Sequence, residues 1–189
     1  IDLQTYSASD APSHPPYRLL LVEGSLGGGY EMGLDNAFEL TQTLKEKHNL
    51  PIELVVVGKI SDEHRQRVDA KSRVTIQWMG SVARERIPEI MRSAHLFFTA
   101  DLHPACPNSV IEALAAGTPV IISDQVALHD MVTAEGVGGV VPVAVEPLAA
   151  ELNRWLRDTP LRRTTAERCG LVARRKYGWP AITERWIGH

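Results

Sequence analysis

The chain has 189 residues, 44% of them hydrophobic and 23% charged, with a net charge of −3. Those proportions belong to one globular domain rather than a disordered tail, and the length leaves little room for two full-sized domains. No apolar run approaches the roughly 20 residues that span a bilayer, and no charged start followed by an apolar run suggests a signal peptide. Cys106 and Cys169 are too few for a disulfide framework and sit in no zinc-binding spacing, so a reduced, cytoplasmic setting is expected.

The charge is unevenly spread, −8 over residues 1–150 and +5 over residues 151–189. So small a net charge argues against nucleic acid as a partner. The basic run Arg174-Arg175-Lys176 lies on a helical pattern without the aromatics or motif that base reading requires. It reads as a solvated helix face, with contact to a membrane surface as the alternative.

In chain order, residues 8–16 are rich in Ser, Ala, Pro and Asp and read as linker. Short apolar runs follow at 19–22, 52–57, 74–78, 96–99 and 120–122, each of the kind expected for strands buried on both faces of a parallel sheet. Between them lie helical patterns: Leu34, Ala37, Phe38 and Leu44 share one face, and Ile87, Ile90, Met91 and Ala94 share another. Gly117 before Thr118 and Pro119 predicts a left-handed helix cap, because glycine carries no Cβ penalty there and proline stops propagation. After residues 139–143 the pattern turns wholly helical, through Leu148, Leu152, Trp155 and Leu156, then Ala166, Cys169, Ala173 and Tyr177, then Ile182 and Trp186. Alternation of strand and helix with short connections predicts a doubly wound α/β domain of about six parallel strands with extra C-terminal helices.

In such a sheet the ligand crevice lies beyond the carboxyl ends of the strands. Directly after the first strand comes Glu23-Gly24-Ser25-Leu26-Gly27-Gly28-Gly29-Tyr30, a glycine-rich turn that would let backbone amides approach a phosphate. A flexible loop without a ligand would use the same glycines. A dinucleotide fingerprint is incomplete, since Gly27-x-Gly29 lacks a third glycine at Met32. The second strand also ends in Lys59 where an NAD site would place an acid, which leaves an NADP site as a residual reading. Lys59 could contact phosphate or serve solubility. Arg84 and Arg86 lie in the turn before Ile87.

The segment from Asp101 to Ile121 runs from one strand through a helix into the next. Pro107 cannot continue a strand, and Asn108 and Ser109 favour a helix start whose free amides would form an anion site. Ser109-x-x-Glu112 has the spacing of a capping box, which would make Glu112 a purely structural carboxylate.

Asn108-Ser109-Val110-Ile111-Glu112-Ala113-Leu114-Ala115-Ala116-Gly117-Thr118-Pro119-Val120-Ile121 also resembles the most recognisable block of the group-1 (family 4) glycosyltransferases of the GT-B fold. Gly80-Ser81-Val82, Ile87-Pro88-Glu89-Ile90 and Ser93-Ala94-His95-Leu96-Phe97 agree in order with that family. So do Ile1-Asp2 with Tyr6 nearby, as the end of the interdomain linker, and Tyr177-Gly178-Trp179-Pro180-Ala181-Ile182 as the closing helix.

The resemblance implies the Rossmann-like, donor-binding C-terminal half of a retaining glycosyltransferase, inactive by itself, with the acceptor site on a preceding N-terminal domain. Residues 1–16 would be the interdomain linker, 17–177 the nucleotide-sugar domain, and 178–189 a helix packing toward the other half. It implies that Glu112 holds the ribose hydroxyls and that Asn108, Ser109 and the Gly27, Gly28, Gly29 loop meet the diphosphate. Met79 and Gly80 would flank the base, and Lys59 would help the phosphates. Neither a cofactor nor a metal is expected.

Three positions depart from the family pattern. Pro104 stands where its first carboxylate belongs, with His103 or Asp101 as candidate substitutes, and uncharged Ser25 and Met32 stand where basic residues usually neutralise the diphosphate. A non-catalytic nucleotide-sugar-binding or interaction module, or an epimerase of the same fold, are the alternatives.

Overall fold

The computed structural model describes residues 3–6, 12–25, 31–99 and 107–187, with the backbone alone at Gln4, Ser25, Glu31 and Met32. Six strands carry the fold: β1 (Tyr17–Ser25), β2 (Ile52–Lys59), β3 (Thr75–Gly80), β4 (Leu96–Thr99), β5 (Val120–Ser123) and β6 (Gly138–Val141). They form one sheet in the order β3-β2-β1-β4-β5-β6, and every pairing is parallel. The connecting helices are α1 (Glu31–His48), α2 (Asp62–Asp69), α3 (Ile87–Arg92), α4 (Asn108–Ala115), α5 (His129–Glu135) and α6 (Val145–Arg157). Then come α7 (Thr159–Tyr177) and α8 (Trp179–Ile187). This is the doubly wound α/β architecture expected from the sequence, with the C-terminal helices in place.

Successive residues of a strand point to opposite faces, and the apolar runs fill both. Leu19, Leu21, Leu54, Val56, Leu96 and Phe98 pack into a core shared with α1 and α6. Leu20, Val55, Val57, Phe97, Val120 and Ile122 face the core on the other side, with α3, α4, α5 and α7. Burial on both faces explains why these strands read as continuous apolar runs rather than alternating ones.

Two glycines are required by geometry. Gly117 follows α4 with φ +81, its N–H bonding Leu114 O while that of Thr118 bonds Ala113 O, which together make a Schellman closure. Thr118 Oγ1 then donates to Met91 O at 2.7 Å, tying this turn to α3. Gly138 begins β6 so close to β5 that a Cβ would stand 1.9 Å from Val120 O.

At the amino-terminal edge of the sheet sits a buried polar cluster. His95 is 2% exposed; its Nδ1 accepts the Arg18 N–H at 3.0 Å and its Nε2 bonds His14 O at 3.0 Å, so the proton is on Nε2. Its ring meets Tyr17 edge to face at 5.3 Å. Arg162, fully buried, lies over the same Tyr17 and donates to Trp155 O, Leu156 O and Thr159 Oγ1, binding the free carbonyls at the end of α6.

The N-terminal segment does more than connect. Its one-turn 3₁₀ helix Leu3–Thr5 buries Leu3 and Tyr6 in the core beside α4 and α7. Arg174 Nη2 donates to Tyr6 O at 3.1 Å, and Arg175 and Lys176 both pair with Glu135. The basic run is therefore surface-borne as read, yet each of its members already has an intramolecular partner. No described helix is long and apolar enough to cross a membrane.

Candidate functional site

Strand order reverses between β1 and β4, because the chain winds outward through β2 and β3, then returns to the centre and winds the other way. Open parallel sheets place their ligand crevice at the carboxyl edge of such a switch point. The glycine-rich turn leaves β1 and the approach to α4 leaves β4, so both expected phosphate-binding segments issue from one edge at the switch point. Gly27, Gly28 and Gly29 lie outside the described residues, as do Asp101, His103 and Pro104.

Lys59 closes β2 directly beside Ser25 in the parallel register, and Gly80 closes β3 beside Val57. Lys59 is exposed and has no ion-pair partner among the described residues. Met79 is half-buried against the core that contains Tyr6 and Ile111. The sequence-predicted residues Lys59, Met79 and Gly80 thus lie at the carboxyl ends of β2 and β3, and Asn108, Ser109 and Glu112 lie on α4, which follows β4.

The start of α4 decides between the two readings of Glu112. Pro107, with extended φ −70 and ψ 124, is the N-cap, so Ser109 is the second helical residue and Glu112 the fifth. A capping box needs the serine at the N-cap itself. The register is two residues off, and the structural explanation for this carboxylate falls away. Asn108 and Ser109 instead present first-turn amides, which have no partner within the helix.

Glu112 is half-buried, and the loss of water around it raises its carboxyl above the usual range; the Tyr6 hydroxyl and the Arg84 charge pull the other way. Burial, with the nearby carboxylate, pushes the Tyr6 phenol upward. The Tyr6 hydroxyl lies close enough to Glu112 for each to shift the other, yet the buried oxygen makes no ordinary hydrogen bond among the described residues. Arg84 comes from the 3₁₀ turn Arg84–Arg86 that follows β3. Tyr6 was not foreseen as a site residue, and Arg84 was singled out only with Arg86 as a basic pair in the turn before Ile87; Tyr6 is far from Glu112 in sequence, and no periodicity links them.

The described residues offer a partly desolvated carboxylate able to accept paired hydroxyl protons, helix-start amides suited to an anion, and two cations, Lys59 at the end of β2 and Arg84 after β3. Among the described residues, no group of three or more His, Cys, Asp or Glu side chains is placed to hold a metal ion. Cys169 lies on the buried face of α7, where its thiol donates to Val137 O at 3.5 Å and burial raises its pKa.

Fold and strand order together define a parallel α/β domain with a topological switch point between β1 and β4. The family of glycosyl transferases group 1 matches residues 20–170, and the chain belongs to that family. It is 31% identical over 137 residues to a phosphatidyl-myo-inositol mannosyltransferase of Mycobacterium leprae, covering 71% of this chain and 36% of that protein. It is 28% identical over 142 residues to a GDP-mannose-dependent alpha-mannosyltransferase of Mycobacterium tuberculosis, covering 73% of this chain and 35% of that one.

Two solved structures share the fold. A sucrose-phosphate synthase from Thermosynechococcus elongatus superposes with a TM-score of 0.79 at 21% identity, over 100% of this chain and 49% of its own. The C-terminal domain of a group 1 glycosyl transferase from Francisella tularensis gives 0.75 at 20%, over 95% of this chain and 99% of its own. The chain spans less than half the length of the curated relatives it matches, from 29% to 44%.

Proposed function

We propose that this chain is the nucleotide-sugar-binding half of a retaining GT-B glycosyltransferase, which moves a sugar from a nucleoside diphosphate to an acceptor hydroxyl. The observation that carries the reading is Glu112: a carboxylate at the switch-point edge, half removed from water, with no capping duty. Cis hydroxyls of a ribose are suited to such a group, since each can donate to one carboxylate oxygen. The amides of Asn108 and Ser109 and the loop carrying Gly27, Gly28 and Gly29 would take the diphosphate. Lys59 and Arg84 would offset its charge, and Met79 and Gly80 would flank the base. His103 would approach the sugar.

Transfer needs the leaving diphosphate stabilised as the glycosidic bond breaks. Helix-start amides and the two cations would supply that stabilisation from this chain without a bound metal. The names of the relatives put mannose first among donors to test. The acceptor would lie on a preceding domain. On α8, Trp179, Trp186 and Ile187 are 60%, 82% and 80% exposed, an apolar surface suited to packing against that domain. Pro104, where the family resemblance places a second carboxylate, favours a non-catalytic nucleotide binder as the second reading.

Calorimetric titration with GDP, UDP and ADP, then with their hexose conjugates, tests the proposal. Saturable binding that Glu112→Gln weakens about 30- to 150-fold is expected, from a charge-assisted pair of bonds worth about 2 to 3 kcal/mol. EDTA should leave it unchanged. Absence of saturable binding to every nucleotide, in this chain and in the longer protein, overturns it. Binding without transfer in the longer protein selects the non-catalytic reading.

A further inference from the structure

The Tyr6 hydroxyl is a costly group in an unexpected place. Tyr6 is 3% exposed, its ring sits in the same core as Met79, Val110 and Ile111, and its oxygen is buried with no ordinary hydrogen bond among the described residues. A phenylalanine would fill the same space without burying a polar atom, so packing alone gives no reason for the oxygen. The group it faces is Glu112.

The position is tied down by more than the ring. Tyr6 N bonds Leu3 O at 3.3 Å, closing the turn that buries Leu3. Arg174 spans Tyr6 O and Gly170 O, both at 3.1 Å, and so anchors this segment to α7. The phenol is therefore delivered to α4 by a part of the chain that precedes the sheet, and its place is set independently of the loops around the crevice.

We propose that Tyr6 is a positioning residue for nucleotide binding: from its buried place beside α4, its hydroxyl holds the Glu112 carboxylate ready for an incoming ribose. This rests on the reading of Glu112 as the ribose-binding carboxylate. A carboxylate has lone pairs to spare, so one oxygen can face Tyr6 while the other accepts from the sugar. Without the phenol, a half-buried carboxylate takes up a proton more readily and then no longer accepts from both hydroxyls. Among the described residues Arg84, on the turn after β3, is the other group that favours the ionised form. It remains in place when Tyr6 is changed.

Tyr6→Phe, which keeps the ring, is the test, read through the pH dependence of GDP or UDP affinity and through NMR titration of the Glu112 carboxyl carbon in the free protein. The acid limb of binding is expected to move to higher pH, with affinity about three- to tenfold weaker than wild type on that limb and within about twofold on the alkaline plateau. The Glu112 titration should shift in the same direction while the melting temperature holds or rises. A loss of affinity independent of pH, with an unmoved Glu112 titration, would mean that Tyr6 acts through packing alone and overturns the proposal. Should Glu112→Gln leave nucleotide affinity intact, the ribose reading fails; the NMR titration then shows separately whether Tyr6 controls the carboxylate.

Discussion

Acidification should destabilise this protein through one imidazole. His95 is buried at the amino-terminal edge of the sheet, and its Nδ1 is committed as the acceptor of the Arg18 N–H. Protonation would turn that acceptor into a donor facing a donor, with no water to relieve it. Burial lowers its pKa most, the Arg162 charge adds to this, the His14 carbonyl opposes it and Arg18 contributes a little; the result is about 4, against 6.5 for a free histidine. The folded protein prefers the neutral ring, so its contribution to stability is full above pH 6.5 and is lost as the pH falls toward 4. From those two values the loss is about 2 kcal/mol at pH 5 and about 3 kcal/mol once the pH is well below 4.

Urea melts of wild type and His95→Gln at several pH values between 5 and 7.5 isolate this group, because every other titrating residue is common to both. The variant starts less stable at pH 7.5, having lost the ring and its edge contact with Tyr17. The gap between the two should then narrow by about 2 kcal/mol by pH 5. An equal gap at both ends of the range would refute the argument, as would a His95 ring signal that titrates near 6.5 in the folded protein.

Glu112→Gln should cost less than about 1 kcal/mol in stability, because no capping box is lost and a partly desolvated charge is removed; comparing its urea midpoint with its nucleotide affinity checks this. Gly138→Ala should destabilise by about 3 kcal/mol or more, since its Cβ meets the Val120 carbonyl of the neighbouring strand; chemical denaturation reads the effect. The chain by itself should bind nucleotide but transfer no sugar, because rate depends on holding the acceptor hydroxyl against the anomeric carbon and excluding water. Radiolabelled transfer should appear when the preceding domain is restored, and robust transfer by the 189 residues alone would refute this.

The sequence by itself determined the layer architecture. Strands buried on both faces must be apolar along their length, and the runs around Leu20, Val55, Phe97 and Ile121 carry that mark. It also determined the helix end at Gly117, because a left-handed residue backed by proline is a local requirement. The start of α4 was legible only in part: the residues permitted a cap at Ser109, and the folded chain caps at Pro107, which releases Glu112 from the helix end. What only the tertiary structure decided is the set of contacts between segments far apart in the chain. Tyr6 and Arg84 come to Glu112 because the N-terminal segment is tied to α7 and because β3 ends at the same edge of the sheet as β4. His95, one unremarked residue before β4, becomes a buried acceptor only when Arg18 and Arg162 close around it. Such contacts have no period and no spacing, since they depend on where whole elements pack, and local sequence records only what each element requires of itself.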